Sequence, residues 1–389
     1  MDKIHYYINK IKRIKIMDIF HVFLFVFAII PAFVVRHKSK KIWLVCEESD
    51  TARCNGYCFY KYMREKHPQE NVIYAIKDCY DFRKVRDIGK TVKYGSFLHW
   101  IYYLSARYNV SSQKGGKPNA AVCYFLEVIL GITTNRIFLQ HGVTINEGKW
   151  LYYNVSKFDL FICGVKPEYE FVKKRFGYRS EQVVYTGFAR WDYLRNYKTK
   201  KKRIVVMPTW REWLTSKEKF LKSTYFKTWS EFLTSPCLHS MISKYNLEVI
   251  FYPHHEMQPY INIFKEIKTQ CVIANMEDYD VQELLGTGEL LITDYSSVFF
   301  DFLYLKKNVI FYQFDKGEYR KKQYRKGWFN YEKNGFTNYC ESKEGVFEAI
   351  YKTFADNLSY IDDKFYDECF CLNDAQNCSR IYDEIVKRC

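Results

Sequence analysis

Two histidines in this chain follow short apolar segments and have the chemistry of proton-transfer groups. His141 comes directly after Arg136–Gln140, and Gly142 beside it removes side-chain bulk, so that a substrate can approach the imidazole closely. His254 stands just after the apolar segment Leu247–Tyr252. A neutral imidazole can take a hydroxyl proton near pH 7, and an imidazole N–H can stabilise a phosphoryl oxygen. We expect His141 to act as a general base and His254 to stabilise charge or protonate a leaving group. The alternative for each is a histidine satisfied within its own loop.

The sequence around His254 also contains His255 and Glu256, which raises the question of a metal site. One of two adjacent histidines usually points elsewhere, and we expect His254 to be the functional one. A metal would need further ligands near these residues. We therefore predict no metal site and no cofactor, and leave a divalent metal open.

The segment Leu290–Tyr304 predicts an anion site. An apolar strand, Leu290–Ile292, is followed by the polar turn Thr293–Ser297 and then by the start of an apolar helix. Such a turn presents hydroxyls and backbone N–H groups to an anion, most often a phosphate. We expect Ser296 and Ser297 to contact phosphate, one of them also as a helix N-cap.

Three more side chains are candidates for the same site. Asp294, in the polar turn, would hold a substrate hydroxyl or orient the loop. Thr209 and Arg211 follow the apolar segment Ile204–Met207. Arginine is suited to bidentate phosphate contact, and the alternative for Arg211 is a surface pair with Glu212. The combination indicates phosphoryl chemistry on a nucleotide-activated donor.

The elements that must position these residues alternate between short strands and helices, which is typical of parallel α/β sheets. The Lys- and Arg-rich stretch Asn196–Arg203 separates two such series and is predicted to be a linker. We expect two Rossmann-like halves that face a cleft. The predicted strands are Ile42–Cys46, Val72–Ile76, Thr91–Tyr94, Tyr108–Ser111, Arg136–Gln140, Leu160–Cys163 and Val183–Thr186, then Ile204–Met207, Leu247–Tyr252, Val272–Ala274, Leu290–Thr293 and Val309–Tyr312.

An apolar segment near the start, Ile19–Val35, is flanked on both sides by Lys and Arg. It is short for a bilayer span of about 20 residues, and Pro31 and His21 interrupt it. No small-residue cleavage site follows, which argues against a removed signal peptide. A helix in the membrane interface, held by cations on anionic lipid, fits best. A true span and a soluble core helix are the alternatives.

The composition of the chain limits the classes of binding partner that we expect. The 389 residues carry a net charge of +16, which favours anionic partners such as anionic lipid or a polyphosphate chain. No helix-turn-helix, zinc-finger or RNA-recognition motif is present, so we predict no nucleic acid partner. The 13 cysteines are scattered without a pairing framework, which indicates reduced thiols inside a cell.

Taken in order, these motifs resemble the CDP-glycerol glycerophosphotransferases of teichoic acid and capsule synthesis. The resemblance covers the chain from about Lys40 to its C-terminus. The residues that carry it are Lys40–Val45 with Asn55-Gly56, Tyr94–Ser96, Ser111-Ser112, His141-Gly142, Thr186–Asp192, Pro208–Arg211, Pro253-His254, Thr293–Ser297, Val309–Tyr312 with Asp315, Tyr319 and Arg320, Arg325–Gly327, and Asn373–Arg380.

The resemblance implies a GT-B fold, in which two Rossmann-like domains face a central cleft and the nucleotide donor binds the second. It implies domains at 39–195 for the acceptor and 196–389 for the CDP donor, with the last helix packing back on the first domain. It also implies attachment to the cytoplasmic face of the cell membrane, for which residues 1–38 are expected to be the membrane-associating segment. The implied acceptor-side residues are Asn55, Gly56, Ser112 and Gly142, and Arg320 joins the donor side.

The activity that the resemblance implies is transfer of a polyol phosphate from a CDP-polyol, most simply CDP-glycerol, to a hydroxyl of a lipid-linked anionic polymer, with release of CMP. The alternatives are a nucleotide-sugar glycosyltransferase that releases UDP or GDP, and a non-catalytic membrane-bound scaffold. Three positions depart from the family pattern: Cys54, His255 and Asn334–Phe336. The last two lie near the inferred donor side and leave the identity of the polyol open.

Overall fold

The computed structural model describes residues 15–39, 41–132, 134–323, 325–332 and 338–388. Residues 1–14, which contain most of the basic stretch that precedes Ile19–Val35, lie outside these ranges. Lys40 and the divergent segment Asn334–Phe336 also lie outside them. The twelve predicted strands are all present, with ends that differ by at most two residues from the prediction. The predicted α/β class is confirmed.

The first half of the chain builds a seven-stranded parallel sheet in the order β3-β2-β1-β4-β5-β7-β8. The strands are β1 (Ile42–Cys46), β2 (Asn71–Ile76), β3 (Thr91–Lys93), β4 (Tyr108–Ser111), β5 (Arg136–Phe138), β6 (Asn146–Glu147, outside this sheet), β7 (Leu160–Cys163) and β8 (Val183–Tyr185). The helices are α1 (Ile16–Lys38), α2 (Asn55–Lys66), α3 (Phe82–Arg86), α4 (Phe97–Ser105), α5 (Ala120–Tyr124, continued by the π-helical turn Phe125–Ile129), α6 (Tyr153–Ser156), α7 (Lys166–Arg175) and α8 (Ala189–Leu194), with 3₁₀ turns at Lys149–Leu151 and Ser180–Gln182.

The second half repeats the pattern with a six-stranded parallel sheet in the order β11-β10-β9-β12-β13-β15. Its strands are β9 (Arg203–Met207), β10 (Glu248–Phe251), β11 (Val272–Ile273), β12 (Leu290–Thr293), β13 (Asn308–Tyr312), β14 (Arg325–Lys326, outside this sheet) and β15 (Tyr339–Cys340). Its helices are α9 (Lys217–Leu221), α10 (Thr224–Leu233), α11 (Pro236–Tyr245), α12 (Ile261–Lys265), α13 (Val281–Thr287), α14 (Phe299–Tyr304), α15 (Lys316–Lys322), α16 (Lys343–Ala355), α17 (Asp363–Cys369) and α18 (Asn377–Val386), with a 3₁₀ turn at His255–Tyr260.

In both sheets the chain starts in the middle, winds to one edge, and then returns to continue toward the other edge. The strand order therefore reverses between β1 and β4 in the first sheet and between β9 and β12 in the second. In open parallel sheets, ligands bind outside the carboxyl ends of the strands at such a switch point. The loops after these four strands are thus the places where the fold favours a binding site.

The halves are joined by contacts outside the loops as well. Strands β6 and β14, one from each half, form an antiparallel two-stranded ribbon. The C-terminal helix α18 packs on the first half, where Tyr382 stacks on Trp43 with ring centroids 5.6 Å apart. The predicted residue limits of the domains remain a prediction.

Helix α1 lies against α4 and runs antiparallel to β1. Near its start, Asp18 accepts a hydrogen bond from Asn119 at 2.8 Å, and His21 accepts one from Trp100 Nε1 at 3.0 Å. Asn119 lies beyond the carboxyl end of β4, whereas the helix ends at Lys38, just before β1. The helix therefore crosses the sheet from its carboxyl edge to its amino edge.

Among the described residues, α1 is the helix long and apolar enough to cross a membrane, by length and composition. Only His21, Ala28 and Ala32 in it are buried. Its large apolar residues are mostly exposed, which argues against the alternative of a soluble core helix. Those more than 40% exposed are Ile16, Met17, Ile19, Phe20, Val22, Phe23, Val26, Phe27, Ile29, Ile30, Phe33 and Val34.

Candidate functional site

His141 stands on a strained turn at the carboxyl end of β5. The residue before it, Gln140, has a φ of +59°, which places a non-glycine residue in the left-handed region. Its side chain holds that conformation by donating to the carbonyl of Ile162 at 2.6 Å and by accepting from Thr144 Oγ1 at 2.6 Å. Strain that the surroundings enforce in this way is common at functional sites.

The backbone of this turn is fixed from two further sides. Asn55 Nδ2 donates to the carbonyl of Gln140 at 2.7 Å, and Arg190 Nη1 donates to the carbonyl of His141 at 2.8 Å. Asn55 is completely buried and also accepts the N–H of Arg190 at 3.1 Å. The predicted acceptor-side residue Asn55 therefore lies beneath the turn and orients it.

The imidazole of His141 opens to solvent in the cleft, yet the protein around it strongly desolvates the ring. This desolvation, together with the positive charges of Arg190 and His255, lowers the pKa of His141 to about 4. His141 is therefore neutral near pH 7, which is the protonation state that a general base needs.

A buried carboxylate organises the loop after β1. Glu47 accepts backbone N–H groups from Arg53, Cys54 and Tyr57 at 2.8 to 2.9 Å. Burial raises the pKa of Glu47 to about 7, although these three N–H groups oppose the shift. A Cβ at Gly56 would lie 2.8 Å from Glu47 Cγ, so this glycine is what allows the carboxylate to reach the start of α2.

Buried acidic groups play a similar part after β9 and β12. Asp294 is completely buried, and its Oδ1 accepts the N–H groups of Thr209 at 2.8 Å and Tyr295 at 2.7 Å. Asp294 thus orients two loops, the second of the two roles considered for it. Thr209 is also buried, and its hydroxyl has no hydrogen-bond partner among the described residues.

The surroundings of Arg211 match neither of the two predictions made for it, direct phosphate contact or a surface pair with Glu212. Its side chain is buried between Asp294, at 2.8 Å from Nη2, and Asp315, at 2.8 Å from Nε. Nη1 donates to the carbonyls of Thr209 and Trp210. The predicted surface pair with Glu212 is absent from these contacts, and no N–H of the guanidinium remains free for phosphate. The arrangement argues against direct phosphate contact and makes Arg211 a residue that positions the loops after β9 and β12.

The serine pair lies at the surface of the cleft. Ser296 Oγ accepts the N–H of Val298 at 3.3 Å, as expected for a capping hydroxyl. Ser297 reaches across to the first half, because a Cβ at Gly142 would lie 2.6 Å from its Oγ. Gly142 therefore permits the two halves to meet beside His141.

His254 faces the same cleft from the second half. Its Nδ1 accepts the N–H of Glu256 at 3.3 Å, so the proton of the neutral ring is expected on Nε2. Burial is the main cause that lowers the pKa of His254 well below its ordinary value. The ring of Trp210 lies nearly parallel, with centroids 6.2 Å apart. A neutral His254 can donate one hydrogen bond into the cleft.

Two further residues that the sequence predicted for the site are Arg320 and Ser112. Arg320 is half-buried and donates to Asn146 Oδ1 of the first half at 2.9 Å, beside the β6–β14 ribbon. Ser112 is completely buried, and its hydroxyl has no partner among the described residues. In the described ranges, no group of three or more His, Cys, Asp or Glu is arranged to hold a metal ion.

Asp301 is a buried residue of the site that the sequence motifs did not single out. It accepts two hydrogen bonds from Arg190, at 2.7 and 2.9 Å, and one from Trp191 Nε1 at 2.8 Å. Arg190 thereby ties helix α14 of the second half to the carbonyl of His141. The sequence signal was available, since an Asp within the apolar run Phe299–Tyr304 demands a buried partner.

The fold and the cleft define a two-domain α/β protein of the GT-B class, as comparison with solved structures confirms. The wall teichoic acid polymerase TagF, as a variant soaked with CDPG, superposes with a TM-score of 0.66 at 17% identity over 98% of this chain and 97% of that one. S. aureus MnaA with UDP gives a TM-score of 0.57 at 13% identity over 90% of this chain and 97% of that one.

The sequence comparison is more specific. A profile of the CDP-glycerol:poly(glycerophosphate) glycerophosphotransferase family matches residues 28–387, and this chain belongs to that family. It is 30% identical to the minor teichoic acid biosynthesis protein GgaB of Bacillus subtilis over 90% of this chain and 40% of GgaB. It is 24% identical to the teichoic acid poly(glycerol phosphate) polymerase of Bacillus subtilis over 86% of this chain and 47% of that protein. The chain thus spans less than half the length of these two relatives.

Proposed function

We propose that this protein transfers a polyol phosphate, with glycerol phosphate as the first choice, from a CDP-polyol to a hydroxyl of a lipid-linked teichoic-acid-like or capsular polymer. The observation that carries the proposal is the close approach of Gly142, beside His141, to Ser297 of the opposite half. A neutral base and a phosphate-binding hydroxyl then line one cleft. Membership of the glycerophosphotransferase family and the CDPG soaked into TagF support the choice of donor.

The reaction follows from the positions of the two histidines. His141 takes the proton of the acceptor hydroxyl as the oxygen attacks the polyol-bearing phosphorus in line. A new P–O bond to the acceptor forms while the bond to the bridging oxygen of the diphosphate breaks, and CMP leaves with that electron pair. Gly142 leaves room for the acceptor beside the base.

Charge on the diphosphate is stabilised from the second half. Neutral His254 donates its Nε2–H to a phosphoryl oxygen, and the hydroxyls of Ser296 and Ser297 donate further bonds. Arg320 contributes a positive charge at the edge of the cleft. Asp294 and Arg211 hold the donor loops in place from below. On the acceptor side, Asn55 and Gly56 fix the turns.

We further propose that the protein binds the cytoplasmic face of the membrane through α1, with the helix in the plane of the interface. The bonds from Asn119 and Trp100 hold the start of α1 on the domain, and Ala28 and Ala32 pack farther along it. A helix held along its length in this way favours an in-plane position over a span. The segments that pack beside it expose apolar residues too, namely Phe97, Leu98, Phe125, Ile129, Leu130 and Ile132.

A donor panel tests the proposed reaction. The full chain is incubated with CDP-glycerol, CDP-ribitol or UDP-N-acetylglucosamine and a lipid-linked glycerol phosphate acceptor, and released nucleotide and product mass are measured. We expect CMP and a product heavier by one polyol phosphate. Release of UDP with sugar incorporation would favour the glycosyltransferase alternative, and no nucleotide release with any donor would favour the scaffold.

Vesicle flotation tests the membrane proposal. Phe23→Ser with Phe27→Ser removes apolar area from the exposed face of α1, where these residues are 58% and 69% exposed. We expect the double variant to float poorly with phosphatidylglycerol vesicles and to remain folded. The control is Tyr351→Ser on α16, a residue 46% exposed on the second half. If the double variant floats as well as the Tyr351→Ser control, in-plane binding by α1 is contradicted.

A further inference from the structure

A cavity of about 460 Å³ opens at the end of α1, on the amino edge of the first sheet. Ser39, the residue that ends α1, lines it together with Arg64 of α2 and Lys90, which precedes β3. The turn 68–72 completes its wall. The cavity therefore lies on the edge of the sheet opposite the cleft that contains His141.

The two cations that line this cavity have unused hydrogen-bonding capacity. Nη1 of Arg64 makes one marginal contact, at 3.5 Å, with the carbonyl of Glu70, and the rest of the guanidinium has no hydrogen-bond partner among the described residues. A guanidinium carries five N–H donors, so most of this capacity is left for an acceptor. Lys90 is exposed and forms no ion pair with any described residue.

One acidic residue, Glu70, also lines the cavity. Its Oε2 accepts the indole N–H of Trp43 at 3.1 Å, which engages this carboxylate with the protein interior. Arg64 and Lys90 therefore leave a positive balance for an anion that enters the cavity. A guanidinium and an ammonium together suit a phosphate group.

The surroundings indicate where such a phosphate comes from. The last turn of α1 carries Arg36 and Lys38, and Lys41 follows, all exposed. Cations at the end of an apolar helix that lies on a bilayer are at the depth of the lipid headgroups. The cavity adjoins this cationic end of α1 through Ser39.

We propose that the cavity lined by Ser39, Arg64 and Lys90 binds the phosphate of an anionic phospholipid headgroup. The proposal rests on the membrane binding proposed above, and adds a specific lipid site to it. Helix α2, which carries Arg64, packs on the face of the first sheet opposite α1. Arg64 and Lys90 therefore contact the phosphate oxygens at the amino edge of the sheet, and the acyl chains pass the C-terminal end of α1 to reach its apolar face. A bound lipid would hold the amino edge of the first sheet at the membrane surface.

The test compares two double variants of the full chain in a nonionic detergent. Arg64→Gln with Lys90→Gln removes the cations of the cavity. Lys66→Gln with Arg86→Gln removes two exposed cations from the neighbouring helices α2 and α3 and leaves the cavity intact. Binding of dihexanoylphosphatidylglycerol below its micelle concentration is followed by ³¹P NMR line broadening, with circular dichroism melting curves to establish that each variant is folded.

We expect the cavity variant to bind the short-chain lipid about 30-fold more weakly than wild type, for two lost cation contacts, and the control variant to bind like wild type. Equal binding by all three proteins would overturn the proposal. Inorganic phosphate that displaces the lipid at equal concentration would also overturn it, in favour of a free-phosphate site. If the double cavity variant is unfolded, Lys90→Gln alone provides the second comparison, and unchanged binding by this folded protein overturns the proposal.

Failure of this inference is distinguishable from failure of the proposed reaction. CMP release from CDP-glycerol with a soluble glycerol phosphate acceptor does not need the cavity, so the Arg64 and Lys90 variants are expected to match wild type in that assay. Wild type that releases no CMP but binds the lipid would contradict the reaction and support the lipid site.

Discussion

Replacing Arg190 alone is expected to destabilise the protein more than replacing Arg190 and Asp301 together. The two side chains are 3% and 1% exposed and share two hydrogen bonds, at 2.7 and 2.9 Å. Arg190→Gln leaves the carboxylate of Asp301 buried without a counter-charge, a change that costs about 3–5 kcal/mol. Adding Asp301→Asn removes the uncompensated charge and keeps an acceptor for Trp191, so we expect the pair to cost only about 1–2 kcal/mol.

The same substitution has a separate consequence for proton transfer. Burial is the largest cause of the low pKa of His141, and the charge of Arg190 is the next. Removing that charge lets the pKa of His141 rise, so the acidic limb of the kcat/KM profile moves to higher pH. This movement is expected in Arg190→Gln with or without Asp301→Asn, because both lack the guanidinium. A purely structural role of Arg190 would leave the profile in place.

Unfolding in guanidinium chloride measures the loss of stability, and the pH profile of CMP release measures the change in the pKa of His141. Arg179→Gln is the matched control, since Arg179 and Glu181 are also 2.7 Å apart but are 72% and 60% exposed. An exposed pair of this kind contributes about 0–1 kcal/mol. If Arg190→Gln costs no more than this control, or if the added Asp301→Asn restores no stability, the reasoning from burial is refuted. Two unfolding transitions would require each half to be fitted separately.

Three further outcomes are expected. His141→Ala should lower kcat for CMP release at least about 100-fold with an unchanged melting curve, and near-wild-type turnover would exclude His141 as the base. Ser297→Ala should weaken binding of CDP-glycerol in calorimetry, whereas Ser296→Ala, whose hydroxyl already accepts a backbone N–H, should have a smaller effect; equal effects would contradict the assignment. Glu47 has a folded-state pKa of about 7, above that of the unfolded chain, so its contribution is complete below about pH 4.5 and is lost as pH rises through 7. That change, of about 3 kcal/mol, should be absent from urea unfolding of Glu47→Gln between pH 5 and 8, and an unaltered pH dependence would refute it.

The parallel strands could be predicted from the sequence because buried strands are continuous apolar runs bounded by polar turns. Leu290–Thr293 is found as predicted, and the turn after it has the close contact between halves at Ser297. The two-residue strands Asn146–Glu147, Arg325–Lys326 and Tyr339–Cys340 were missed, since segments of this length have no periodicity. The pairing of the first two depends on contact between the halves, which a linear pattern does not contain.

The candidate site was predictable in its loops and less so in its side chains. Motif position placed His141 and His254 correctly at the carboxyl ends of strands. The sequence could not distinguish an arginine that faces a ligand from one enclosed by carboxylates, and Arg211 is of the second kind. That distinction depends on Asp315, more than 100 residues away, whose approach only the folded sheet determines. The catalytic and binding roles of the site remain predictions.

The direction of α1 has a consequence for how a substrate reaches the cleft. At about 1.5 Å per residue, its 23 residues extend about 35 Å along the first half, from the carboxyl edge of the sheet to the amino edge. With this helix flat on a bilayer, the strands of the first sheet run roughly alongside the membrane surface, and the cleft opens sideways. An acceptor anchored in the lipid could then enter by two-dimensional diffusion, without leaving its leaflet, while the water-soluble donor approaches from the opposite half.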